Sequence, residues 1–371
     1  DTGLKPKERH IVLQEFGKVA RLSHCKGIFQ TDFALNNFLV QKLDDGGFKV
    51  YLIDYERTVI RNNLAAGDRF WALAKLNRVG ADFTISDKMR FLLSYINSGL
   101  DEQIYPRTRD DIKSLIRKLD RESIENLKNG AKKMWKSCVK GGRRFKEYNG
   151  KGFKGHFMEI CNHGLLIDYI NKFDNLKKVG EFEFDNSQKI ISASVKITDK
   201  SPDFEALIYK FSGRNNSLPI RSWQNSNMLL KARINVPESV AVFNDNANGY
   251  LVTLSLMDYH SWSDIKEMFQ NIKTGDRSRI AFLRKLGLFI CRLHNFGVFA
   301  SNISFGDILA SSKNGKYEFC FGHTYNFLFK LCLTQAERLS DVKKFAVYFR
   351  SIINDIELRD FEEAYFKKYT L

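Results

Sequence analysis

The stretch that decides the fold is HCKGIFQTDFALNNFLVQKLDDGGFKVYLIDYERT, residues 24–58. It holds two β-prone runs, FLVQKL and FKVYLI, separated by DDGG, a turn sequence in which Asp and Gly tolerate positive φ. The pattern predicts a β-hairpin in which Leu43 pairs with Phe48. Continued outward, this register places Asn37 opposite Asp54 at the open end, with Cα atoms roughly 5 Å apart.

Three polar side chains gather near this open end: Asp32, Asn37 and Asp54. A carboxamide facing a carboxylate offers the oxygen ligands that Mg²⁺ prefers together with substrate phosphates and water. Phosphoryl transfer also needs a carboxylate that orients the attacking hydroxyl, and Asp32 lies in the loop beside the pair. The D-x4-N spacing, followed by a hairpin and an Asp, matches the catalytic loop and metal-binding Asp of protein-kinase-like enzymes. The simpler alternative is that Asp32 and Asn37 cap turns and Asp54 ends a strand.

The segments LSHCKGIFQTDFALNNFLV, VYLIDYERT and GDRFWALAKLNR, the last followed by RFLLSYI, resemble the lipopolysaccharide core kinases, the Kdo/heptose kinase family. These protein-kinase-like enzymes transfer the γ-phosphate of ATP to sugar hydroxyls of the inner core. The resemblance covers about residues 1–100. It implies that ATP and Mg²⁺ are cofactors, that Asp32 is the catalytic Asp, that Asn37 and Asp54 are metal ligands, and that Asp68 supports the catalytic loop.

Two polar positions near the site differ from a close copy of that family. The family often has a histidine one or two residues before the catalytic Asp, whereas this chain has Gln30 and Thr31. His24 lies further upstream, at the end of a predicted helix whose apolar residues follow the helical period. We therefore expect His24 to be structural rather than a catalytic base.

An internal repeat appears at an offset of 270, where HCKGIFQTDFALNNFLV aligns without a gap with HNFGVFASNISFGDILA. The second hairpin is closed by an Asn-Gly turn at 314–315, and its register places Asp307 opposite Gly322. The three site positions of the first copy become Asn302, Asp307 and Gly322. Because Asn302 cannot accept a proton and Gly322 offers no side-chain ligand, we expect the second copy to lack metal-assisted transfer.

The sequence before the second hairpin resembles the N-lobe of a kinase. The runs GEFEF, IISASVKI and FEALIYKF predict three strands, and ALIYK resembles the strand whose lysine grips nucleotide phosphates. Lys210 is therefore the candidate nucleotide-binding residue, and its alternative role is that of a solvated lysine at a strand end. IRSWQNSNMLLKARINVPESVAVF resembles the following αC helix and strand, with Ser222 at the place of the usual Glu. Asp341 parallels Asp68 as a scaffold residue.

These patterns predict an α+β, protein-kinase-like fold for the 371 residues, of which 43% are hydrophobic. Residues 1–128 are expected to form a C-lobe whose N-lobe lies outside this chain, since the chain begins at Asp1 and not at methionine. Residues 129–178 are predicted to be a basic linker. Residues 179–371 are predicted to be a complete two-lobed pseudokinase-like domain, with its N-lobe at 179–260 and its C-lobe at 261–371.

A net charge of +16 indicates an anionic partner. AKKMWKSCVKGGRRFKEYNGKGFKGHF, residues 131–157, carries nine Lys or Arg against one Glu, with aromatic residues between them. Such a segment can contact anionic lipid head groups or single-stranded nucleic acid, or it can simply be solvated. We expect the lipid, and no nucleic acid, because no RNA-binding signature is visible. A G-x-G-x-x-G spacing at Gly150, Gly152 and Gly155 is a weak phosphate-binding signal whose alternative is a flexible loop.

Six scattered cysteines favour reduced, mostly buried thiols, and no run approaches the roughly 18 apolar residues that a membrane span needs. We therefore expect a cytoplasmic protein, peripheral to the inner membrane. The predicted function is ATP- and Mg²⁺-dependent phosphorylation of a sugar hydroxyl of the lipopolysaccharide inner core, an anionic glycolipid acceptor. The alternatives are another kinase-fold phosphotransferase, acting on a protein or small molecule, and a non-catalytic pseudokinase scaffold.

Overall fold

The computed structural model describes residues 4–77, 83–98, 108–185, 188–197, 204–212, 217–256, 258–270, 272–299, 308–313, 316–324, 327–330, 333–350 and 352–369. The chain divides into two compact units, residues 1–127 and 128–370. Each unit combines helices with antiparallel strands, so the predicted α+β class is confirmed. The two-lobed arrangement of the second unit stays a prediction.

Unit 1 is a helical body that carries short strand pairs. Its elements are α1 (Pro6–Cys25), β1 (Ile28–Gln30), a 3-10 turn (Leu35–Asn37), β2 (Phe38–Lys42), β3 (Phe48–Leu52), β4 (Thr58–Ile60), α2 (Ala66–Leu76), α3 (Ile85–Asn97) and α4 (Arg109–Ser137), which continues past Leu127. β1 pairs with β4 and β2 with β3, both antiparallel. The core of this unit is formed by apolar residues of the four helices together with Phe33 and the inward side of β3.

The packing of α1 and α3 is set by residue size. α1 begins with a proline and a capping box, and it buries Phe16 and Ala20 toward α3. At Gly17 the two backbones come so close that a Cβ would lie 2.6 Å from the carbonyl oxygen of Phe91. Only glycine therefore fits at this crossing.

The β2–β3 hairpin forms, but its predicted register is wrong by one residue. Phe48 pairs with Lys42 and not with Leu43. Leu43 instead donates its N–H to the carbonyl oxygen of Gly47, at 2.9 Å, so Gly47 belongs to the ladder and not to the turn. The turn therefore has three residues and ends at Gly46, with φ of 81°, a conformation that glycine adopts without strain.

Unit 2 contains one large sheet and a second helical body. Its elements after α4 are β5 (Phe145–Gly150), β6 (Phe153–Met158), α5 (His163–Asn171), β7 (Lys178–Asp185), β8 (Gln188–Ile197), β9 (Phe204–Ser212), α6 (Ser217–Lys231), β10 (Ser239–Asn244), β11 (Asn248–Leu254), α7 (Trp262–Gln270), α8 (Arg277–Asn295), β12 (Val298–Phe299), β13 (Ile308–Lys313), β14 (Lys316–Phe321), β15 (Leu328–Phe329), α9 (Gln335–Phe349) and α10 (Asp355–Tyr369). The sheet has seven antiparallel strands in the order β5-β6-β10-β11-β9-β8-β7.

The predicted basic linker is wrong for most of its length, because it folds into the sheet. β5 and β6 form a hairpin, and β6 pairs with β10. Phe145, Phe153 and Phe157 are 5%, 7% and 9% exposed and belong to the core, whereas the lysines between them stay at the surface. Burial of these aromatic side chains stabilises the segment as an ordered part of unit 2.

The glycines of the G-x-G-x-x-G pattern serve the hairpin. Lys151 and Gly152, with φ of 49° and 81°, form its two-residue turn. At Gly155 a Cβ would lie 2.0 Å from the carbonyl oxygen of Val242 in β10, so glycine permits the strands to pair. The pattern is explained by backbone geometry, and we assign it no phosphate.

The internal repeat is visible in equivalent contacts of the two units. A Cβ at Gly287 in α8 would lie 2.5 Å from the carbonyl oxygen of Phe361, the same contact as at Gly17, 270 residues earlier. The β13–β14 hairpin pairs Lys313 with Lys316 and Ile308 with Phe321, which confirms the register predicted for the second copy. The two copies thus share their packing, although they differ at the predicted site.

The described cysteines are free thiols, four of them buried and Cys25 exposed. Within the described ranges, no helix combines the length and apolarity that crossing a bilayer would demand.

Candidate active site

Asn37 is the structural centre of the candidate site. Its side chain is 3% exposed, and its Nδ2 donates to the carbonyl oxygen of Asp32 at 2.7 Å. Its own carbonyl oxygen accepts the N–H of Ile53 at 2.8 Å. Asn37 therefore joins the loop at Asp32 to the end of β3, and its Oδ1 remains as an acceptor for a ligand.

Asp54 has a special backbone conformation. Its φ is 61°, in the left-handed region that costs an L-residue about 1–2 kcal/mol. The Nε2 of Gln30, a residue that is only 1% exposed, donates to the carbonyl oxygen of Asp54 and lies 3.5 Å from that of Ile53. Gln30 thus supports the backbone turn at the exposed Asp54.

Asp32 is exposed in a loop that is fixed on both sides. On one side, Thr31 donates its N–H to the carbonyl oxygen of Arg57 at 3.1 Å, and its own carbonyl oxygen accepts a hydrogen bond from Lys75 of α2. On the other side, Phe33 is 1% exposed and packs against the ring of Phe38. The loop is rigid while its carboxylate faces solvent, as an acceptor-orienting group requires.

The site residues thus come together, but not through the pairing expected from the hairpin. In the observed register Asn37 lies opposite Ile53 and not opposite Asp54. Hydrogen bonds to main-chain carbonyl groups, made by Asn37 and Gln30, connect Asp32 and Asp54 to one end of the hairpin. Sequence reasoning missed Gln30, although its place two residues before Asp32 was the signal.

The donor set suits a hard divalent cation. An exposed carboxylate at Asp54 and the Oδ1 of Asn37 are oxygen ligands, which fit Mg²⁺ when phosphates and water complete its shell. No cluster of three or more His, Cys, Asp or Glu side chains suited to a metal occurs in the described part of the chain. Two oxygen ligands from the protein, at Asn37 and Asp54, fit a metal whose shell is completed by a phosphate ligand and water.

Two neighbouring residues have structural roles. The Nδ1 of His24 lies 2.6 Å from the hydroxyl oxygen of Tyr95, and burial, with Arg69 and Arg21 nearby, lowers the pKa of His24 to about 4. His24 is thus neutral and structural, as expected. Asp68 accepts a hydrogen bond from Arg61 at 2.7 Å, and it is Lys75 of the same helix that supports the loop at Asp32, through the carbonyl oxygen of Thr31.

In unit 2 the structure places Lys210 away from helix α6. Side chains alternate across a strand, and it is Tyr209 that faces α6, where it lines a small cavity with Ser222 and Gly322. Lys210 lies on the other face of the sheet, with its Nζ 3.1 Å from the Oδ1 of Asp174. Lys210 therefore does not line that cavity, whereas Tyr209, the residue before it, does.

The cavity itself is occupied by hydroxyl groups. The Oγ of Ser222 and the Oγ1 of Thr324 are 2.8 Å apart, and Asn225 of α6 donates to the carbonyl oxygen of Thr324 at 2.9 Å. About 10 Å³ remains, room for about one water molecule. Asn302 and Asp307 lie outside the described residues.

Comparison with known proteins locates the resemblance. Residues 1–95 match the lipopolysaccharide kinase (Kdo/WaaP) family. The resemblance to the lipopolysaccharide core kinases is therefore confirmed for the segment that holds Asp32, Asn37 and Asp54. A solved structure titled "WaaP in complex with acyl carrier protein" is 13% identical, with a TM-score of 0.40, and the match covers 53% of this chain and 81% of that chain. No curated protein matches the chain.

The Kdo/WaaP match makes phosphotransfer the activity that the family suggests. It does not extend to unit 2, whose residues begin beyond the matched segment. The family-matched segment and the rigid loop around Asp32 thus coincide in unit 1.

Proposed function

We propose that the protein is an ATP- and Mg²⁺-dependent phosphotransferase that phosphorylates a sugar hydroxyl of the lipopolysaccharide inner core. The observation that carries the proposal is the loop at Asp32, which Asn37 fixes to the end of β3 inside the Kdo/WaaP-matched segment. In this proposal residues 1–128 supply the catalytic lobe, and residues 179–371 are a degenerate copy.

The proposed roles follow from position and chemistry. The exposed carboxylate of Asp32 orients the acceptor hydroxyl and takes its proton as the new O–P bond forms, while the bond from the γ-phosphorus to the β-phosphate oxygen breaks. Asn37 and Asp54 would hold Mg²⁺ against the nucleotide phosphates. When bound, that ion neutralises the charge that develops on the transferred group. Asn37 also keeps Asp32 in place, because one side chain makes both contacts.

The net positive charge of the protein suits an anionic acceptor. Lipopolysaccharide core is an anionic glycolipid, and a net charge of +16 attracts such an acceptor and an acidic membrane surface. We therefore place the protein at the cytoplasmic face of the inner membrane as a peripheral protein, with no nucleic acid as partner.

The test is transfer of labelled γ-phosphate from ATP to dephosphorylated lipopolysaccharide core. Asp32→Ala should reduce the rate by at least about 10²-fold, because a positioned general base contributes about 10²–10⁴-fold. Asp44→Ala is the matched control, since Asp44 is an exposed aspartate of the neighbouring hairpin turn. Equal rates in wild type and Asp32→Ala would refute the assignment.

The acceptor is tested separately from the chemistry. The same assay, with a protein, an aminoglycoside or a simple alcohol in place of the core, distinguishes a kinase of another substrate class. Transfer to one of these that depends on Asp32 would keep the catalytic assignment and replace the acceptor. No Mg²⁺-dependent transfer to any of them would favour a scaffold.

A further inference from the structure

The surface where α4 ends and β5 begins has an unusual composition. We call it the α4–β5 corner, and its exposed residues are Lys132, Lys133, Trp135, Lys136, Lys140 and Arg143. The sequence shows these cations within a longer basic run. The structure separates them from the residues of that run that belong to the sheet.

The corner is held in place by α6. Trp223 of that helix is fully buried, donates its indole N–H to the carbonyl oxygen of Cys138 at 3.0 Å, and packs edge-on against Phe145 at 5.6 Å. The neighbouring Gln224 donates to the carbonyl oxygen of Trp135 at 3.1 Å. The end of α4 and the start of β5 are therefore fixed, and the corner is a preformed surface rather than a loose tail.

The corner has one carboxylate close to it, that of Glu147, whose Oε1 accepts the N–H of Gly141 at 2.9 Å. Arg144 and Lys146, next to it, form ion pairs with Glu238 and Glu159, both at 3.4 Å. By contrast, none of the five corner cations has a carboxylate within ion-pair distance among the residues that the structure describes. Five positive charges at one site repel each other, and a polyanionic surface removes that repulsion.

Two apolar side chains accompany these charges. Trp135 is 37% exposed, and Lys132 and Lys136 lie within one helical turn of it. Ile160 is 68% exposed at the end of β6, which Glu159 connects to Arg144 through a hydrogen bond from its N–H at 3.1 Å. An amphipathic indole flanked by lysines suits the head-group region of a bilayer, where the ring is partly buried and the ammonium groups meet phosphates.

The structure also argues against the other polyanion. Binding of single strands requires several aromatic faces on which successive bases stack. Of the aromatic residues in the basic run, Phe145, Phe153 and Phe157 are in the core, and Tyr148 is partly buried. Trp135 is the only aromatic residue of the corner, so the corner offers charge without a stacking platform.

We propose that the α4–β5 corner is a membrane-docking surface, which binds the anionic head groups of a lipid bilayer while Trp135 and Ile160 enter the interface. The proposal deepens the function proposed above by naming the surface that brings the protein to a membrane-borne acceptor. The biological purpose of the docking surface rests on that proposed function, but the test below measures vesicle binding and not phosphate transfer.

The experiment is co-sedimentation of the whole protein with phosphatidylcholine vesicles, with or without about one third phosphatidylglycerol. Wild type should bind the anionic vesicles only, and added salt should release it. Lys132→Glu, Lys133→Glu and Lys136→Glu together should weaken binding about 10²-fold or more, since each lysine near an anionic surface contributes roughly fivefold. The matched control reverses three exposed lysines of α7, α8 and α9: Lys266, Lys285 and Lys343.

Each outcome decides something. Equal losses in the two triple variants would overturn the assignment to this corner in favour of diffuse charge, as would wild type that fails to bind anionic vesicles. Tighter binding of a single-stranded RNA than of vesicles, lost in the same corner variant, would replace the lipid by nucleic acid. Trp135→Phe should abolish the vesicle-induced change in tryptophan emission, and an unchanged emission response would contradict insertion at Trp135. Thermal unfolding checks that both triple variants are folded.

The proposed function can be refuted independently of the docking surface. Phosphate transfer to a delipidated, soluble core oligosaccharide should be unaffected in the corner variant. Vesicle binding without any transfer would leave the docking surface in place and remove the kinase assignment.

Discussion

Gln30→Leu tests whether a buried amide positions Asp54, the proposed metal ligand. The substitution keeps the volume of the side chain and removes the Nε2 that donates to the carbonyl oxygen of Asp54. Asp54 has a φ of 61°, so its conformation requires support from its surroundings. Gln30 is a positioning residue in this account, because it acts through Asp54 and does not touch the reacting atoms.

The expected magnitude follows from one hydrogen bond. A net contribution of about 1 kcal/mol changes the population of the supported conformer about fivefold. We expect the Mg²⁺ concentration for half-maximal phosphate transfer to rise about five- to tenfold in Gln30→Leu. Gln30→His, which keeps a donor, should recover part of the loss.

The assay is a Mg²⁺ titration of phosphate transfer at saturating ATP. Gln41→Leu is the matched control, because Gln41 is an exposed residue of β2 that only accepts a hydrogen bond from Tyr51. A general loss of stability would lower the rate at every Mg²⁺ concentration without moving the midpoint. An unmoved midpoint in Gln30→Leu would refute the positioning role.

Three further predictions concern the rest of the chain. Lys210→Ala should leave phosphate transfer unchanged and alter the urea midpoint little. Its partner Asp174 is 82% exposed, and such ion pairs contribute at most about 1 kcal/mol. A loss of transfer in this variant would instead support Lys210 as a nucleotide-binding residue. Gly287→Ala should cost about 1–3 kcal/mol of unfolding free energy, because the new Cβ would lie 2.5 Å from the Phe361 carbonyl oxygen; a rise in urea stability would contradict this contact. Burial lowers the pKa of His24 from 6.5 to about 4. The stability gained by keeping this histidine neutral is therefore fully present above pH 6.5. As the pH drops from 6.5 toward 4, the unfolded chain binds a proton that the folded chain does not, and the free energy of unfolding falls by roughly 3 kcal/mol. His24→Gln should remove this part of the dependence in urea titrations at several pH values, and an unchanged slope would count against a buried neutral histidine.

The sequence predicts the elements well where local patterns are unambiguous. The three strands and the helix before the second hairpin appear as β7, β8, β9 and α6. The Asn-Gly turn at 314–315 fixes one register, and that register is confirmed. In the first hairpin DDGG permits turns of two different lengths. The sequence alone does not specify whether Gly47 lies in the turn or pairs with Leu43 in the ladder, as it does in the structure.

The candidate site could be proposed from the sequence as a set of residues but not as a geometry. Asp32, Asn37 and Asp54 follow from spacing, whereas the bonds that connect them involve main-chain carbonyl groups and Gln30, which spacing does not describe. For Lys210 the sequence identifies the strand but not its faces, because Tyr209 and Lys210 are both plausible at either side. In β5 and β6 the net charge obscured the alternating phenylalanines that form part of the core.

The two crossing glycines have a consequence for the history of the chain. Gly17 and Gly287 each face a main-chain oxygen that cannot move, so any substitution there is opposed at once by the whole helix pair. A carboxylate on an exposed loop has no such neighbours, and only selection for turnover retains it. In a duplicated segment, selection on folding therefore preserves the helix crossing independently of any selection on loop carboxylates. The shared glycine crossing thus records the common architecture of the two copies, whatever each copy's loops do.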